Sequence, residues 1–373
     1  MNKPDRNNSL PIRETWQILI FGLVFLSLFS LFPYVYPASV STLYWLILSV
    51  LFWIYCCYQL YIRLDLNRPN AGELLYPDLG WANRLSIMRG FLIAMTGGFL
   101  FQDWPDSWLM YLPGVLYTLA AIIDRVDGFV ARKSGRTSLL GIDLDTLFDA
   151  LGLAVAPLLA VLYGQIHWSY LLFSGAYYLF QWGIHRRKQL GLPVYTLPPN
   201  KLRRAWAGFQ MGFIGVVLFP IFSPPVTTVA GFAFMLPVLI GFTIDWCIVS
   251  GRIDPQQTVT ATRFSQIDRF GQTVLLPLLR LVITALILAQ VQIPDSLIDG
   301  GLLLAAFLVL FGIAGRIAAL VLIGLLGILS MDIVLNTTGL VLLFGTVWLL
   351  LMGTGHYSLW RRDEDWVNRY DGT

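Results

Sequence analysis

Long apolar runs alternate with short polar stretches along this chain. Most of the runs approach or reach about 17–25 residues, the length a helix needs to cross the hydrocarbon core of a bilayer. They predict membrane helices near Trp16–Tyr36, Leu43–Ile62, Ile87–Phe101, Trp108–Ile123, Leu147–Tyr163 and Tyr170–Ile184. Six more follow near Ala207–Phe222, Val226–Val249, Val274–Val291, Leu297–Ile313, Ile317–Val334 and Leu340–Met352. The expected fold is therefore an all-α polytopic membrane protein with roughly twelve spans. Met1–Thr15 is polar and the first run is of spanning length, so no cleavable signal is expected.

Lysine and arginine fall on alternate loops. Lys3, Arg6 and Arg13 precede the first run, Arg63, Arg68 and Arg84 follow the second, and Arg132, Lys133 and Arg136 separate the fourth from the fifth. Arg186, Arg187, Lys188, Lys201, Arg203 and Arg204 follow the sixth, and Arg252, Arg263 and Arg269 the eighth. The intervening loops Gln102–Ser107, Gly164–His167 and Ser223–Pro225 carry none. The positive-inside rule then places both termini and every long polar loop in the cytoplasm, with a bacterial-type plasma membrane as the expected location. Polar connectors divide the chain into residues 1–80 (two helices), 81–250 (six helices) and 251–373 (a linker and four short helices).

Composition agrees with the pattern. Hydrophobic residues make up 57% and charged residues 13%, against about 45–50% and about 25% in soluble domains. This excludes a single soluble domain, a disordered chain, a coiled coil and a disulfide scaffold. A net charge of +3 gives no footprint for nucleic acid. Cys56, Cys57 and Cys247 lie in apolar runs without metal-ligand spacing, and His167, His185 and His356 are scattered.

The chemistry is concentrated in Asp124–Asp149. Asp124 and Asp127 are three residues apart at the exit of the fourth run; Asp145 and Asp149 are four apart at the entry of the fifth. Each pair lies on one helix face. An antiparallel helix pair joined by a short loop can bring the two faces together. Four carboxylates in a low-dielectric site must be neutralised by protons or cations. All-oxygen ligation suits Mg²⁺ or Mn²⁺, ions that usually also hold substrate phosphates. Gly128, Ala131 and Gly141 clear space beside the acids, and Arg132 offers a planar donor for phosphate. Helix capping could account for Asp143 or Asp145 alone, but not for acids a turn deeper in apolar surroundings.

The segment follows the pattern D-x2-D-G-x2-A-R-x8-G-x3-D-x3-D at every fixed position. In this it resembles the CDP-alcohol phosphotransferases, over about residues 81–250. The resemblance implies a six-helix catalytic core, here with two extra helices before it and about four after. It implies transfer of a substituted phosphate from a CDP-alcohol donor to an acceptor alcohol with release of CMP, one of the two being a membrane lipid. It also implies that Asp124, Asp127 and Asp145 hold two divalent cations, that Asp149 touches metal and acts as base, and that Gly128, Ala131, Arg132 and Gly141 shape the nucleotide pocket. CDP-diacylglycerol is the expected donor in phospholipid synthesis, and a CDP-choline-like donor with diacylglycerol as acceptor is the second choice.

Asn83-Arg-Leu-Ser86-Ile-Met-Arg89 resembles the Asn-x-x-Thr-x-x-Arg that opens the family core, placing Asn83 toward the nucleotide. Its local reading is an N-cap followed by an interfacial arginine. Lys201-Leu-Arg203-Arg204, ending at Gln210, stands where the family often has Lys-x-Lys-Thr-x-x-Gln. Lys201, Arg203, Arg204 and Arg252 are candidates for an acceptor's phosphate, against ordinary positive-inside anchoring. Residues 273–356 loosely resemble a DoxX-like module and read as a scaffold or homodimer surface, with Arg280 and Asp332 as intramembrane charges able to pair. A divalent-cation transporter and a non-catalytic scaffold are the readings from other classes.

Overall fold

The computed structural model describes residues 10–31, 41–198, 201–254, 257–291, 296–360 and 362; for residues 201–204, 258, 259 and 261 it describes the backbone alone. Among the described residues the protein is all-helical, with one isolated parallel bridge between Ile313 and Trp360 and no strand. The helices are α1 (Leu10–Ser30), α2 (Thr42–Tyr61), α3 (Gly80–Gly97), α4 (Leu112–Lys133), α5 (Leu139–Leu162), α6 (Leu171–Gln189) and α7 (Lys201–Val217). There follow α8 (Val226–Val249), α9 (Thr258–Phe270), α10 (Leu276–Gln290), α11 (Leu297–Phe311), α12 (Gly315–Asp332) and α13 (Thr337–Met352).

A helix stands at each position the apolar runs predict, and Phe32–Tyr36 of the first run lies outside the described residues. Among the described residues seven helices are long and apolar enough to cross a membrane, α1, α2, α4, α5, α8 and α12 among them; the seventh, Thr262–Gln290, joins α9 to α10 through a π-helical stretch, Gly271–Leu275. The polar linker after residue 250 thus holds a helix, because a short helix rich in polar residues lacks the long apolar run by which the spans are read. Helix α3 misses the same measure because Asn83, Arg84 and Arg89 interrupt its apolar run.

The chain forms two compact units. The first comprises Met1–Gly164 and Met211–Pro220. Its centre is α3, which packs against α2, α4 and α5. Small residues let these helices approach: a Cβ on Gly90 would meet the Phe148 ring at 2.7 Å, and one on Gly97 would meet Phe52 at 2.6 Å. α1 lies on α2, where the Trp53 indole donates to the Leu19 carbonyl (3.2 Å). Pro113 opens α4 at a position where its missing N–H costs nothing. Ser138 caps α5 by accepting from the Gly141 N–H (3.0 Å).

The second unit comprises Gln165–Gln210 and Ile221–Thr373. α8 packs on α6 and on α13, and α10–α13 form a closed four-helix block. Arg280, 4% exposed, donates to the carbonyls of Val309 (2.9 Å), Leu310, Thr354 (3.2 Å) and His356 (3.2 Å). A buried cation thus satisfies the carbonyls at the end of α11 and in the segment after α13, while Asp332 is exposed to the surroundings of the unit. Gln210 is buried too, accepting from the Tyr170 hydroxyl and donating to the Phe234 carbonyl (2.6 Å).

Candidate metal and nucleotide site

α4 runs on to Lys133 and α5 begins at Leu139, further into the polar segment than the apolar runs reach. All four motif aspartates therefore lie on helices: Asp124 and Asp127 on the last turns of α4, Asp145 and Asp149 on the first turns of α5. Asp124, Asp145 and Asp149 converge, each offering a carboxylate oxygen, with these atoms within 4.8 Å of one another. Asp127 is buried one turn along from Asp124, and its Oδ2 accepts from the Ser86 hydroxyl at 2.8 Å. The fold brings three of the four acids to one point and sets the fourth against α3.

A cation from a third helix completes the cluster. Arg89 of α3 is 2% exposed, and its Nη1 lies 2.6 Å from Asp124 Oδ1 and 2.9 Å from Asp145 Oδ1. Its Nη2 pairs with Asp149 Oδ1. Three like charges this close repel strongly in a protein interior, and the guanidinium offsets one of them. The Asp145 side chain remains 51% exposed, so the cluster is open on one side.

Around the acids a polar belt ties the leading block to the α4–α5 loop. Arg63 pairs with Asp143, and Arg136 pairs with Asp78 while stacking over the Tyr76 ring at 4.6 Å. Tyr76 OH donates to the Thr137 carbonyl (3.2 Å), and the Leu139 N–H donates to the Arg68 carbonyl (2.9 Å). Asn67, 1% exposed, donates to the Asp78 carbonyl (2.9 Å) and accepts from the Asn83 amide (3.2 Å). Asn83 also donates to the Leu79 carbonyl (2.8 Å) and accepts from Ser138 Oγ (3.2 Å). A Cβ on Gly141 would lie 2.8 Å from Asn83 Oδ1, so this glycine is what lets Asn83 approach α5.

Gly128 and Ala131 lie half-buried on α4, and a Cβ on Gly128 would meet Arg132 Nη1 at 3.3 Å. Arg132 is exposed, next to the loop. Arg252 is exposed just beyond α8, in the second unit, and the side chains of Lys201, Arg203 and Arg204 lie outside the described residues. Arg89, Ser86 and Asn67 carry much of the geometry. Ser86 and Arg89 stand in the stretch that opens α3, yet an arginine near a span end reads first as an interfacial anchor. The better signal was its place in an apolar run.

A family model described as CDP-alcohol phosphatidyltransferase matches residues 79–294, more than half of the 373-residue chain. The chain belongs to that family. The match begins just before α3 and runs through α10, so it takes in the acids, Arg89 and the whole belt from Leu79 onward. No curated protein and no solved structure gives a significant match. Membership makes this an integral-membrane enzyme that uses a CDP-alcohol and an acceptor alcohol, in a family dependent on a divalent metal. Asp124, Asp145 and Asp149 fit such an ion: the donors are all carboxylate oxygens, they converge, and one side is open to a substrate.

Proposed function

We propose that this CDP-alcohol phosphatidyltransferase moves the phosphatidyl group of CDP-diacylglycerol to a small polar alcohol, releasing CMP, in phospholipid synthesis. The observation that carries the reading is the convergence of Asp124, Asp145 and Asp149 at the open ends of two adjoining helices. These residues, with Asp127 beside them, would hold Mg²⁺ or Mn²⁺, which would neutralise the charge of the donor's diphosphate. Asp149 accepts the proton of the acceptor hydroxyl as its oxygen forms the new bond to phosphorus and the bond to CMP breaks. Gly128, Ala131 and Arg132 border the cytidylyl side, and Asn83 is held rigidly beside it. Direct transfer calls for no protein nucleophile.

Two features favour a lipid as one substrate. The acids lie at the ends of membrane helices. On the same unit an apolar cavity of about 690 Å³ runs between α1, α3 and α4, walled by Phe21, Phe25, Phe91 and Met95, with Arg84 and Glu14 paired at its polar end (3.2 Å). The basic loops put the acids on the cytoplasmic side, where a soluble acceptor reaches them. A cation-transport role lacks support, because α5 continues beyond Asp149 as an apolar run without acids.

The test is CMP release by purified enzyme in lipid nanodiscs, with CDP-diacylglycerol or CDP-choline as donor and a panel of acceptors. CDP-diacylglycerol should support release that EDTA removes and Mg²⁺ or Mn²⁺ restores, and Asp149→Asn should lower the rate by about 100-fold or more. Release from CDP-choline with diacylglycerol alone would reassign the donor. Metal-independent release, or near-parental activity in Asp149→Asn, would overturn the mechanism.

A further inference from the structure

The guanidinium of Arg89 occupies one oxygen of every member of the triad: Oδ1 of Asp124 and Asp145 through Nη1, and Oδ1 of Asp149 through Nη2. It reaches them from a third helix and is almost wholly buried. Its backbone has little freedom, because the adjacent Gly90 sits against the Phe148 ring of α5. A planar guanidinium presents its donors as a fixed fork and does not give up its charge. It therefore cannot leave the carboxylates by deprotonation, and the packing of α3 on α5 leaves it nowhere remote to go.

We infer that Arg89 is a built-in rival of the divalent ion, holding the enzyme's own affinity for metal low until a diphosphate substrate adds the missing negative charge. This rests on the reading of Asp124, Asp145 and Asp149 as the metal ligands. Three carboxylates carry three negative charges, and Arg89 cancels one. A divalent ion on the same oxygens sits close to a fixed positive charge and is repelled by it. A CDP-alcohol brings a diphosphate whose anionic oxygens face both cations, so it binds more tightly with metal present and draws metal in. Such coupling is reciprocal: whatever the nucleotide adds to metal affinity, the metal adds to nucleotide affinity. The consequence is coupled loading, in which metal and donor each strengthen the binding of the other.

The test measures Mn²⁺ binding by electron paramagnetic resonance on the purified full-length protein, with and without CDP. Arg89→Gln should bind Mn²⁺ about tenfold more tightly than the parent in the absence of CDP, and Arg89→Lys, which keeps the charge but loses the fork, should fall between them. CDP should raise the parent's Mn²⁺ affinity and raise that of Arg89→Gln by a smaller factor. Folded Arg89→Gln with equal or weaker Mn²⁺ affinity would overturn the inference alone, and so would Arg89→Lys with equal or weaker affinity if the glutamine variant fails to fold. A parent that binds Mn²⁺ equally well with and without CDP would also overturn it. A parent that binds no Mn²⁺ even with CDP would instead overturn the metal reading on which it rests.

Discussion

Gly141 shows how a single residue type carries different information before and after folding. In the sequence it is a small residue one turn ahead of Asp145, and small residues beside acids suggest space for a ligand. In the structure the space beside it is taken by the Asn83 side chain, itself anchored to Asn67, Leu79 and Ser138. Gly141→Ala would force Asn83 Oδ1, at 2.8 Å from the new Cβ, out of a buried network. The expected cost is about 1–3 kcal/mol, the usual range for overpacking. Thermal unfolding in detergent should show the loss, and the rate of CMP release should fall with it. The aspartates were legible because their spacing puts each pair on one helix face. Arg89 was legible only as a charge set in an apolar run; that it meets three acids depends on helices remote in sequence.

At the scale of elements, the apolar runs located the helices but not their polar ends. α4 and α5 extend through charged sequence, where the acids on them pair with Arg89 or accept a hydrogen bond from Ser86, partners that belong to a different helix. The connector between α2 and α3 reads as an irregular polar stretch. Its order comes from non-local contacts: Arg63 with Asp143, Asp78 with Arg136, and Asn67 with Asn83. Asn67 is the buried member, so Asn67→Ala should matter more than loss of either half-exposed ion pair. It leaves the Asn83 amide short of an acceptor and the Asp78 carbonyl short of a donor, a cost of about 1–3 kcal/mol. Faster amide hydrogen exchange across residues 63–80 would report it; unchanged exchange there would show that the connector is held by its ion pairs instead.

On the scale of the whole molecule, the alternation of basic and neutral loops makes a prediction about sidedness. Gln189 is exposed at the end of α6 on the basic side, and Asp106 is exposed in the basic-free loop before α4. Single cysteines placed there in a Cys247→Ser background, with Cys56 and Cys57 buried, give a direct reading. A membrane-impermeant maleimide should label Gln189→Cys from the cytoplasmic side only and Asp106→Cys from the opposite side only. The reverse pattern would turn the proposed orientation over. The block α10–α13 illustrates what such patterning leaves out. Arg280 and Asp332 looked like a candidate pair, yet Arg280 is engaged by backbone carbonyls, because buried carbonyls at helix ends compete well for a cation that cannot reach water.

The order of polar and apolar residues by itself determined that the chain is helical, lies in a membrane and carries its acids at the ends of two successive spans. These properties follow from bilayer thickness and helix periodicity, which act along the chain one segment at a time. Only the tertiary structure decided which acids meet, that Asp127 turns to Ser86, and that the positive charge among the other three comes from Arg89. Those outcomes depend on how closely α3 seats on α4 and α5, an approach that on the α5 side Gly90 allows against Phe148 and that no local pattern shows.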